Sequence, residues 1–561
     1  MLLCLSFIAS ALSLVNALSG RRPHANFPPK PTVPLVSVEQ TRPVTSRNGT
    51  ILPPYNQTFF FQQLIDHNNP SLGTFTQRYW HTWEFYEDGG PIIIFTPGEA
   101  NAAPYSGYLT NVTINGQIAQ QQSGAAVVLE HRFFGLSNPR PDLSVASLRL
   151  HTLQQAIDDL EYFTNNVVLP MPNGDNLKPA TTPWILVGGS YSGALTSWTM
   201  VNKPGLFAAG YASSAVVEAI LDFWQYFEPE RLFMPANCSA DVERVITHID
   251  QVFSGSDKQA IQSIKDSFGM GDVTHLDDAA GSLRNNLFDW QGLSLSIGSG
   301  AQFFNFCDAL EVKNGVNAPA TGWGLDHALS AWSSYWTTTY LALICGDDDA
   351  QDCLGSYNTS QPFWTDTSID NAERSCTQSW PCFPCNEVGF LQESAPLGQT
   401  TLVSRLIQPA YDLRQCQQMF PAAFPKSPTV QTARTNRLYD GWEVSIKNLF
   451  FANGQRDPWR YATVSAPAAE RKSTPSQPIA VGEGYHCADL LTREGQANPT
   501  VLAVQEEGLA SIKGWIAAWK PAKAKRSEQP EARASGVSTL TGLTKPLQGW
   551  FRSPVFSVKL M

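Results

Sequence analysis

Short apolar runs recur along the N-terminal part of the chain and predict the strands of a buried sheet. The predicted strands cover residues 74–80, 92–95, 125–129, 184–187 and 210–216. Two of them, 92–95 and 125–129, contain only apolar residues, as expected for central strands that are covered on both faces. Between the strands at 125–129 and 184–187, residues 153–163 carry apolar side chains at helical spacing. Strands that alternate with helices favour an α/β fold with a mostly parallel sheet.

This alternation stops after about residue 219, and the pattern that follows is helical. Apolar periodicity predicts helices within 242–253 and 325–343, and strand-like runs return only at 445–452 and 478–481. A long amphipathic helix is predicted at 501–520. The sequence therefore predicts a sheet domain in two parts, 55–219 and 431–520, with a helical cap of residues 220–430 inserted between them.

The two ends of the chain have the composition of targeting and linker segments. Residues 1–17 are apolar and end in Val15-Asn16-Ala17, which is typical of a signal peptide with a small-residue cleavage site. Residues 18–54 contain a dibasic pair, Arg21-Arg22, that is followed by a proline-rich stretch, so we expect a propeptide or an extended N-terminal arm. Residues 521–561 lack sustained periodicity and are expected to be a disordered tail.

Composition and charge favour a secreted globular protein. The chain has 561 residues, of which 43% are hydrophobic, and a net charge of -11, which disfavours nucleic acid as a partner. Beyond the predicted signal peptide, no stretch is long and apolar enough to span a membrane. We expect an extracellular protein or one of a vacuolar or lysosomal type of acidic compartment, with the oligomeric state left open. Five sequons predict glycosylation at Asn48, Asn56, Asn111, Asn237 and Asn358.

The cysteines indicate disulfides and not a metal site. Nine remain beyond Cys4, which lies in the predicted signal peptide, and an odd number predicts one free thiol. Cys382 and Cys385 form a CxxC pair, but no second pair stands at zinc spacing, so we expect no metal and no cofactor. We expect a disulfide between Cys385 and Cys416. Cys487 is the expected free thiol, because it lies far from the other cysteines in sequence.

The stretch Gly188-Gly189-Ser190-Tyr191-Ser192 follows the predicted strand 184–187 and has the form of a nucleophile elbow. Such an elbow is a tight turn from strand to helix that presents a serine hydroxyl above the sheet. The strict Gly-x-Ser-x-Gly form is broken, because Ser192 stands at the last position. Ser190 is the candidate nucleophile, whereas a bare Gly/Ser string is more often an ordinary turn.

A serine nucleophile requires a base, and the base requires an orienting carboxylate. In an α/β hydrolase, the acid and the histidine follow the serine on loops after late strands. Asp457 follows the strand predicted at 445–452, and His486 lies in a glycine-rich loop after 478–481. The competing interpretations are an Asp-Pro turn and an ordinary histidine, but the order of the three residues favours Ser190, Asp457 and His486 as a triad.

An acyl-transfer site also needs donors for the oxyanion. We expect the backbone N–H of Tyr191 and a second donor from Gly98-Glu99-Ala100, the loop after the strand at 92–95, with Gly98 as the candidate. Glu99 is interpreted either as a substrate-binding carboxylate or as a solvated loop charge. The two possibilities are weighted equally.

Several motifs resemble one peptidase family. They are Phe61-x-Gln63-x-x-Asp66-His67, Thr74-Phe75-x-Gln77-Arg78-Tyr79, Glu130-His131-Arg132-Phe133-Phe134-Gly135-x-Ser137, Gly188-Gly189-Ser190-Tyr191 and Asn453-Gly454-x-x-Asp457-Pro458-Trp459. Over about residues 55–520 the chain resembles the family of lysosomal Pro-X carboxypeptidase and dipeptidyl peptidase II, and most of all its secreted fungal prolyl endoproteases.

The resemblance implies an α/β-hydrolase core, a helical cap, and cleavage of proline-containing peptides or proteins after proline at acidic pH. It also implies that Trp459 walls the proline pocket, with a structural core tryptophan as the alternative, and that Ala194 alters the depth of the pocket. Acid activity would require the pKa of His486 to lie below about 6.5 in the free enzyme.

Other functions remain open at this point. The cap decides between an endopeptidase and an exopeptidase that removes a C-terminal residue or an N-terminal dipeptide, and the preference for proline over alanine is not determined. An esterase or lipase on the same fold is a further alternative, and a non-enzymatic binding protein would require the loss of a triad residue.

Overall fold

An eight-stranded, mostly parallel sheet lies at the centre of the chain. The computed structural model describes residues 24–30, 32–38, 40–369 and 379–521, so the predicted signal peptide and C-terminal tail lie outside the described residues. The strands of the sheet, in spatial order, are β1 (Phe59–Leu64), β2 (Thr74–Thr82), β4 (Ala125–Leu129), β3 (Ile92–Thr96), β5 (Trp184–Gly189), β6 (Ala209–Ser213), β11 (Leu449–Gly454) and β12 (Ile479–Gly482). Strands β1, β2 and β4 pair antiparallel, and every other pair is parallel.

The apolar runs of the central strands feed two cores, one on each face of the sheet. Ile92 and Ile94 pack into one core, whereas Ile93 and Phe95 pack into the other. Successive side chains of a strand point to opposite faces, so a run that is apolar throughout is what a two-sided core requires. The predicted α/β class is therefore confirmed, with helices covering both faces.

The helices, numbered in chain order, are α1 (Ile114–Gln121), α2 (Val145–Leu148), α3 (Leu153–Asn166), α4 (Tyr191–Asn202), α5 (Glu228–Phe233), α6 (Ala236–Phe253), α7 (Lys258–Ser267), α8 (Leu276–Ser282), α9 (Arg284–Phe288), α10 (Gln302–Glu311), α11 (Leu325–Tyr335), α12 (Leu341–Cys345), α13 (Ala350–Leu354), α14 (Pro362–Thr365), α15 (Ser379–Phe383), α16 (Pro409–Met419), α17 (Thr432–Tyr439), α18 (Thr492–Ala497) and α19 (Pro499–Ala518). Helix α4 packs on β5 and β6, and α19 packs on β11 and β12.

The segment between β6 and β11 is helical, as the sequence predicts, and its described residues form three disulfides. The disulfides join Cys238 to Cys307, Cys345 to Cys353, and Cys385 to Cys416. Two short strands, β7 (Ile220–Asp222) and β10 (Gly389–Leu391), pair in parallel within it. A small hairpin is formed by β8 (Val312–Lys313) and β9 (Val316–Asn317). The sheet and the helical segment belong to one structural unit that ends at Pro521.

The expected pairing of Cys385 with Cys416 is present in the structure. Among the described residues, both Cys487 and Cys382 are in no disulfide, whereas the sequence argument expects one free thiol. Cys376 lies outside the described residues. Cys487 is completely buried, and its backbone N–H donates to Ser214 Oγ at 3.0 Å.

Some element boundaries differ from those predicted. The strand expected at 445–452 begins at Leu449, because Asn448 has a positive φ of 62° and its side chain donates to the Ala208 carbonyl. The helix expected at 325–343 is interrupted by a π-helical turn at Trp336–Tyr340. A π-helical turn closes i→i+5 hydrogen bonds, so it shifts the side chains that follow around the helix axis.

Four of the five predicted glycosylation sites, Asn48, Asn56, Asn111 and Asn358, are exposed. Asn237 is half-buried, and its Oδ1 accepts a hydrogen bond from the Cys238 N–H. Modification therefore has open access at the first four positions and the least access at Asn237.

Candidate active site

Ser190 sits at a sharp turn between β5 and α4. Its backbone has φ 61° and ψ -127°, a strained conformation for a non-glycine residue, and its N–H donates to the Ser213 carbonyl at 2.9 Å. Gly188 is needed for this turn, because a Cβ there would lie 2.1 Å from the Ser192 carbonyl oxygen. This is the geometry of a nucleophile elbow.

Ser192 fits where the strict motif has glycine because the facing loop has no side chain. A Cβ at Gly98 would lie 2.7 Å from Ser192 Oγ, so the absence of that atom leaves room for the hydroxyl. Packing of α4 requires glycine at the next position, Gly193, since a Cβ there would lie 2.5 Å from the Ser213 carbonyl oxygen. The broken motif is thus compensated by Gly98.

The structure brings Ser190, His486 and Asp457 into one hydrogen-bonded chain. Ser190 Oγ lies 2.7 Å from His486 Nε2, and His486 Nδ1 lies 2.8 Å from Asp457 Oδ1. A carboxylate can only accept, so Nδ1 carries the proton and Nε2 accepts from the serine hydroxyl. The N–H of Trp459 also donates to Asp457 Oδ1, at 2.9 Å. Among the described residues, Asp457 Oδ2 has no hydrogen-bond partner.

The pKa of His486 is raised, contrary to the sequence expectation. Burial of the ring lowers the pKa, but the neighbouring Asp457 carboxylate outweighs it and raises the pKa well above the usual 6.5. The expectation of a pKa below 6.5 is therefore wrong, because the carboxylate stabilises the imidazolium at hydrogen-bond distance. A histidine must be neutral to act as a base, so this shift favours activity towards neutral pH.

The predicted oxyanion donors lie beside the elbow. Tyr191 is the first residue of α4, where backbone N–H groups have no partner within the helix. Gly98 has φ 77° and packs against Tyr191, whose Cδ1 would lie 3.2 Å from a Cβ at Gly98. The Gly98 N–H makes a long contact of 3.4 Å with Thr96 Oγ1. Both candidates are thus placed on the two segments that border Ser190.

Glu99 is buried next to this loop, so its interpretation as a solvated loop charge is wrong. Only 1% of the residue is exposed. Burial raises the pKa of Glu99 to about 8, although its own backbone N–H and the charges of Lys30 and His486 lower it. A carboxyl group so close to His486 belongs to the site and not to the surface.

Trp459 is completely buried in a cluster of aromatic rings beside His486. Its ring centroid lies 5.2 Å from Tyr226, 5.6 Å from Phe223 and 5.5 Å from Phe390. The His486 ring lies 6.3 Å away. Tyr226 and Phe390 meet Trp459 edge-to-face and Phe223 is tilted by 32°, so the four rings form a packed apolar cluster.

Ala194 lies one turn into α4, and its N–H donates to the Ser190 carbonyl at 3.0 Å. The residue is completely buried in the core beneath the elbow. Its small side chain is thus close to Ser190 in the chain and in space.

Three neighbouring groups that sequence reasoning missed also hold the site in place. Gln291, from the helical segment, accepts from Trp459 Nε1 at 2.7 Å. Asp489 accepts from the hydroxyls of Tyr211 and Ser213 at 2.9 and 2.7 Å. His131 Nε2 lies 3.0 Å from the Tyr191 hydroxyl. His131 belongs to a quoted motif, which is a usable signal, whereas neither Gln291 nor Asp489 stands in any recognisable pattern.

Two properties of the described residues bear on the class of the site. They contain no group of three or more His, Cys, Asp or Glu side chains that could hold a metal ion. Within the same ranges, no helix has the length and hydropathy to cross a bilayer.

Sequence comparison identifies what the chain resembles. Residues 62–289 and 338–507 match the family model described as serine carboxypeptidase S28. The chain is 35% identical over 488 residues to the serine protease vicPa of Bipolaris victoriae strain FI3, covering 84% of this chain and 90% of that protein. It is 30% identical over 473 residues to a probable extracellular serine carboxypeptidase of Arthroderma benhamiae, covering 79% and 64%, respectively. The human thymus-specific serine protease is 24% identical over 481 residues, with 82% of this chain and 86% of that protein covered.

Structural comparison finds a proline iminopeptidase of Mycobacterium smegmatis, with a TM-score of 0.33 and 13% identity over 81% of this chain and all of that one. The similarity is too low to support an argument about function.

Proposed function

The chain belongs to the serine carboxypeptidase S28 family and is a serine-type peptidase; from this premise we propose that it cleaves polypeptides on the carboxyl side of proline, with Ser190 as nucleophile. The observation that supports the proposal best is the hydrogen-bonded chain from Ser190 through His486 to Asp457, with distances of 2.7 and 2.8 Å. The three residues come from separate loops, and no structural role requires them to meet.

In the proposed reaction, Ser190 Oγ attacks the carbonyl carbon of the substrate proline, and His486 Nε2 takes the hydroxyl proton. Asp457 holds the Nδ1 proton and stabilises the imidazolium that forms. The N–H groups of Tyr191 and Gly98 stabilise the oxyanion. His486 then protonates the leaving amine, and water hydrolyses the acyl-enzyme by the same steps in reverse.

We propose that the aromatic cluster around Trp459 gives the enzyme its specificity for proline. The pyrrolidine ring of proline is compact and apolar and has no N–H in a peptide, so packing against an aromatic ring recognises it better than hydrogen bonding does. Trp459 is fixed by its hydrogen bond to Gln291 and lies next to His486. We propose that Trp459 forms the wall of the pocket and that Ala194 limits its depth.

Secretion is proposed on the three disulfides and on the relative from Arthroderma benhamiae, which is named as extracellular. A vacuolar or lysosomal location would agree with the disulfides equally well. Activity at acidic pH stays a prediction: the raised pKa of His486 opposes it, and a pH profile of kcat/KM tests it.

The test is cleavage of a long peptide with internal and penultimate prolines by the intact chain and by Ser190→Ala, followed by mass spectrometry. We expect internal cuts after proline that Ser190→Ala abolishes. Loss of only a C-terminal residue or an N-terminal dipeptide would make the enzyme an exopeptidase. Hydrolysis of short esters without peptide cleavage would refute the proposal and favour an esterase.

A further inference from the structure

The residues proposed for catalysis are closed off from solvent. Ser190, Tyr191 and Asp457 have no exposed surface, and His486 is 5% exposed. A peptidase that acts on polypeptides must admit an extended chain to its nucleophile. Some part of the molecule therefore occupies the path by which the substrate reaches Ser190.

The N-terminal arm enters this region from the helical side. The carbonyl of Asn26 accepts hydrogen bonds from Arg284 Nη2 at 3.0 Å and from Gln415 Nε2 at 3.3 Å. Asn26 Nδ2 donates in turn to the carbonyls of Asp278 and Leu354. Asn26 and the next residue, Phe27, are almost completely buried. The arm is thus held by side chains of the helical segment and does not lie loosely on the surface.

The arm then passes the nucleophile elbow. Lys30 Nζ donates to the Glu99 carbonyl at 2.7 Å, and Gln291 Nε2 donates to the Lys30 carbonyl at 3.1 Å. Val33 is 3% exposed, and its Cγ1 lies 2.7 Å from the position of a Cβ at Gly189, the residue before Ser190. Lys30 therefore contacts the Glu99 loop and Gln291, the hydrogen-bond partner of Trp459. Val33 contacts the elbow.

Beyond the elbow, the arm is bound by the core. The Tyr108 hydroxyl donates to the Pro34 carbonyl at 2.8 Å, and the Gly107 N–H donates to the Val36 carbonyl at 3.2 Å. A Cβ at Gly107 would lie 2.4 Å from that carbonyl, so the close approach depends on glycine. The hydrogen bonds on this side are made to backbone carbonyls, a mode that accepts an extended chain of varied sequence, while the side chains of Val33 and Val36 pack into the core.

We propose that the N-terminal segment, through its described residues 24–30 and 32–36, occupies the substrate cleft as an intramolecular ligand, and that the cleft binds an extended, proline-rich polypeptide. This inference rests on the proposed function. The segment carries Pro28, Pro29, Pro31 and Pro34, the composition expected of a substrate of a proline-specific enzyme. Its described residues run from the helical segment, past the Glu99 loop and the elbow that carries Ser190, to the core around Tyr108, and such a path fits cleavage within a chain. The segment must leave before substrate enters, so the intact chain is autoinhibited.

The experiment cuts the arm in the otherwise complete protein. A recognition sequence for a site-specific protease is inserted between Thr41 and Arg42, which are both exposed. The cut segment is removed by gel filtration, and two rates are measured before and after: labelling of Ser190 by a dye-linked fluorophosphonate and cleavage of a proline-containing peptide. A tethered ligand has an effective concentration on the order of 1 mM, so a free segment with a Kd of about 10 µM predicts an increase of about 100-fold in both rates.

A pair of point variants gives a second readout. Val33→Asp places a charge in the contact with the elbow and should raise both rates of the uncut chain about tenfold or more. Leu35→Asp is the matched control, because Leu35 is 50% exposed, and it should leave both rates unchanged. A gain of activity cannot come from misfolding, whereas a purely structural strap would predict a loss.

The outcomes separate this inference from the proposed function. Inhibition of the cut enzyme by a synthetic peptide of residues 24–38 would support the inference, and competition with substrate would place the peptide in the cleft. Faster labelling after the cut without cleavage at proline would keep the inference and refute the proposed specificity. Equal rates of labelling and cleavage before and after removal of the segment would overturn the inference.

Discussion

Replacing Asp457 by asparagine isolates the charge of the carboxylate from its geometry. Both donors to Asp457, the His486 ring and the Trp459 N–H, point at the same oxygen, Oδ1, at 2.8 and 2.9 Å. An asparagine with its carbonyl oxygen at that position keeps both hydrogen bonds and the histidine tautomer. Its NH2 group replaces Oδ2, which has no hydrogen-bond partner among the described residues. The variant therefore loses the negative charge and little of the arrangement.

The size of the effect follows from the separation of the charges. Two unit charges about 4 Å apart at an effective dielectric constant of about 20 interact by about 4 kcal/mol, which corresponds to about three pKa units and is a ceiling. The charge raises the pKa of His486, so its removal lowers that pKa. We expect the acidic limb of kcat/KM to move down by about one to three pH units. The plateau should fall by about 10- to 1000-fold, since the imidazolium of the transition state loses the same stabilisation.

The assay is a pH profile of kcat/KM on a short proline-containing substrate, measured after the arm has been removed. Asp489→Asn is the matched control, because Asp489 is also buried but bonds to Tyr211 and Ser213, whose hydroxyls can donate or accept. It should leave the acidic limb of the profile in place. An acidic limb of Asp457→Asn that stays or moves up would refute the reasoning. A plateau loss of about 10 000-fold would instead indicate that the amide has flipped and holds the wrong tautomer.

Three further predictions test the fold around the site. Gly188→Ala should destabilise the protein by about 3 kcal/mol in urea unfolding, because the new Cβ meets a backbone carbonyl oxygen at 2.1 Å. The control Gly514→Ala lies in a helix with open space around it and should stabilise the protein by up to about 1 kcal/mol. Equal changes in the free energy of unfolding for the two variants would contradict the steric role of Gly188. Replacing Cys385 and Cys416 by serine opens a disulfide with a sequence separation of 31 residues. In the chain-entropy model this should lower the free energy of unfolding by about 3 to 4 kcal/mol. An unchanged unfolding midpoint would exclude a stabilising role for this disulfide. The pKa of Glu99 is raised from 4.5 to about 8, so ionisation of Glu99 opposes folding above pH 4.5, with a penalty that grows until about pH 8. Glu99→Gln should therefore raise Tm at pH 8 more than at pH 4. A larger gain in Tm at pH 4 would show that the direction of the pKa shift is wrong.

Local sequence patterns were sufficient to predict the positions of the central strands and the order of the proposed catalytic residues along the chain. The apolar runs of β3, β4 and β5 lie within a residue or two of their predicted positions, since a strand buried on both faces requires continuous apolar side chains. Ser190 follows two glycines at the end of a strand because only small residues permit such a turn. Asp457 and His486 follow the last two strands, where the ends of parallel strands meet at one edge of the sheet.

Only the tertiary structure shows which distant segments surround the proposed catalytic residues. Ser192 is accommodated by Gly98, Glu99 is buried, and the arm around Lys30 crosses the elbow, although these segments lie far apart in the chain. No periodicity connects such residues. The direction of the pKa shift of His486 likewise depends on a balance between burial and the charge of Asp457. Burial and electrostatics sum over neighbours in space, whereas turns and periodic patterns are set by neighbours in sequence, and for this reason the amino-acid sequence predicted the nucleophile but not the environment that surrounds it.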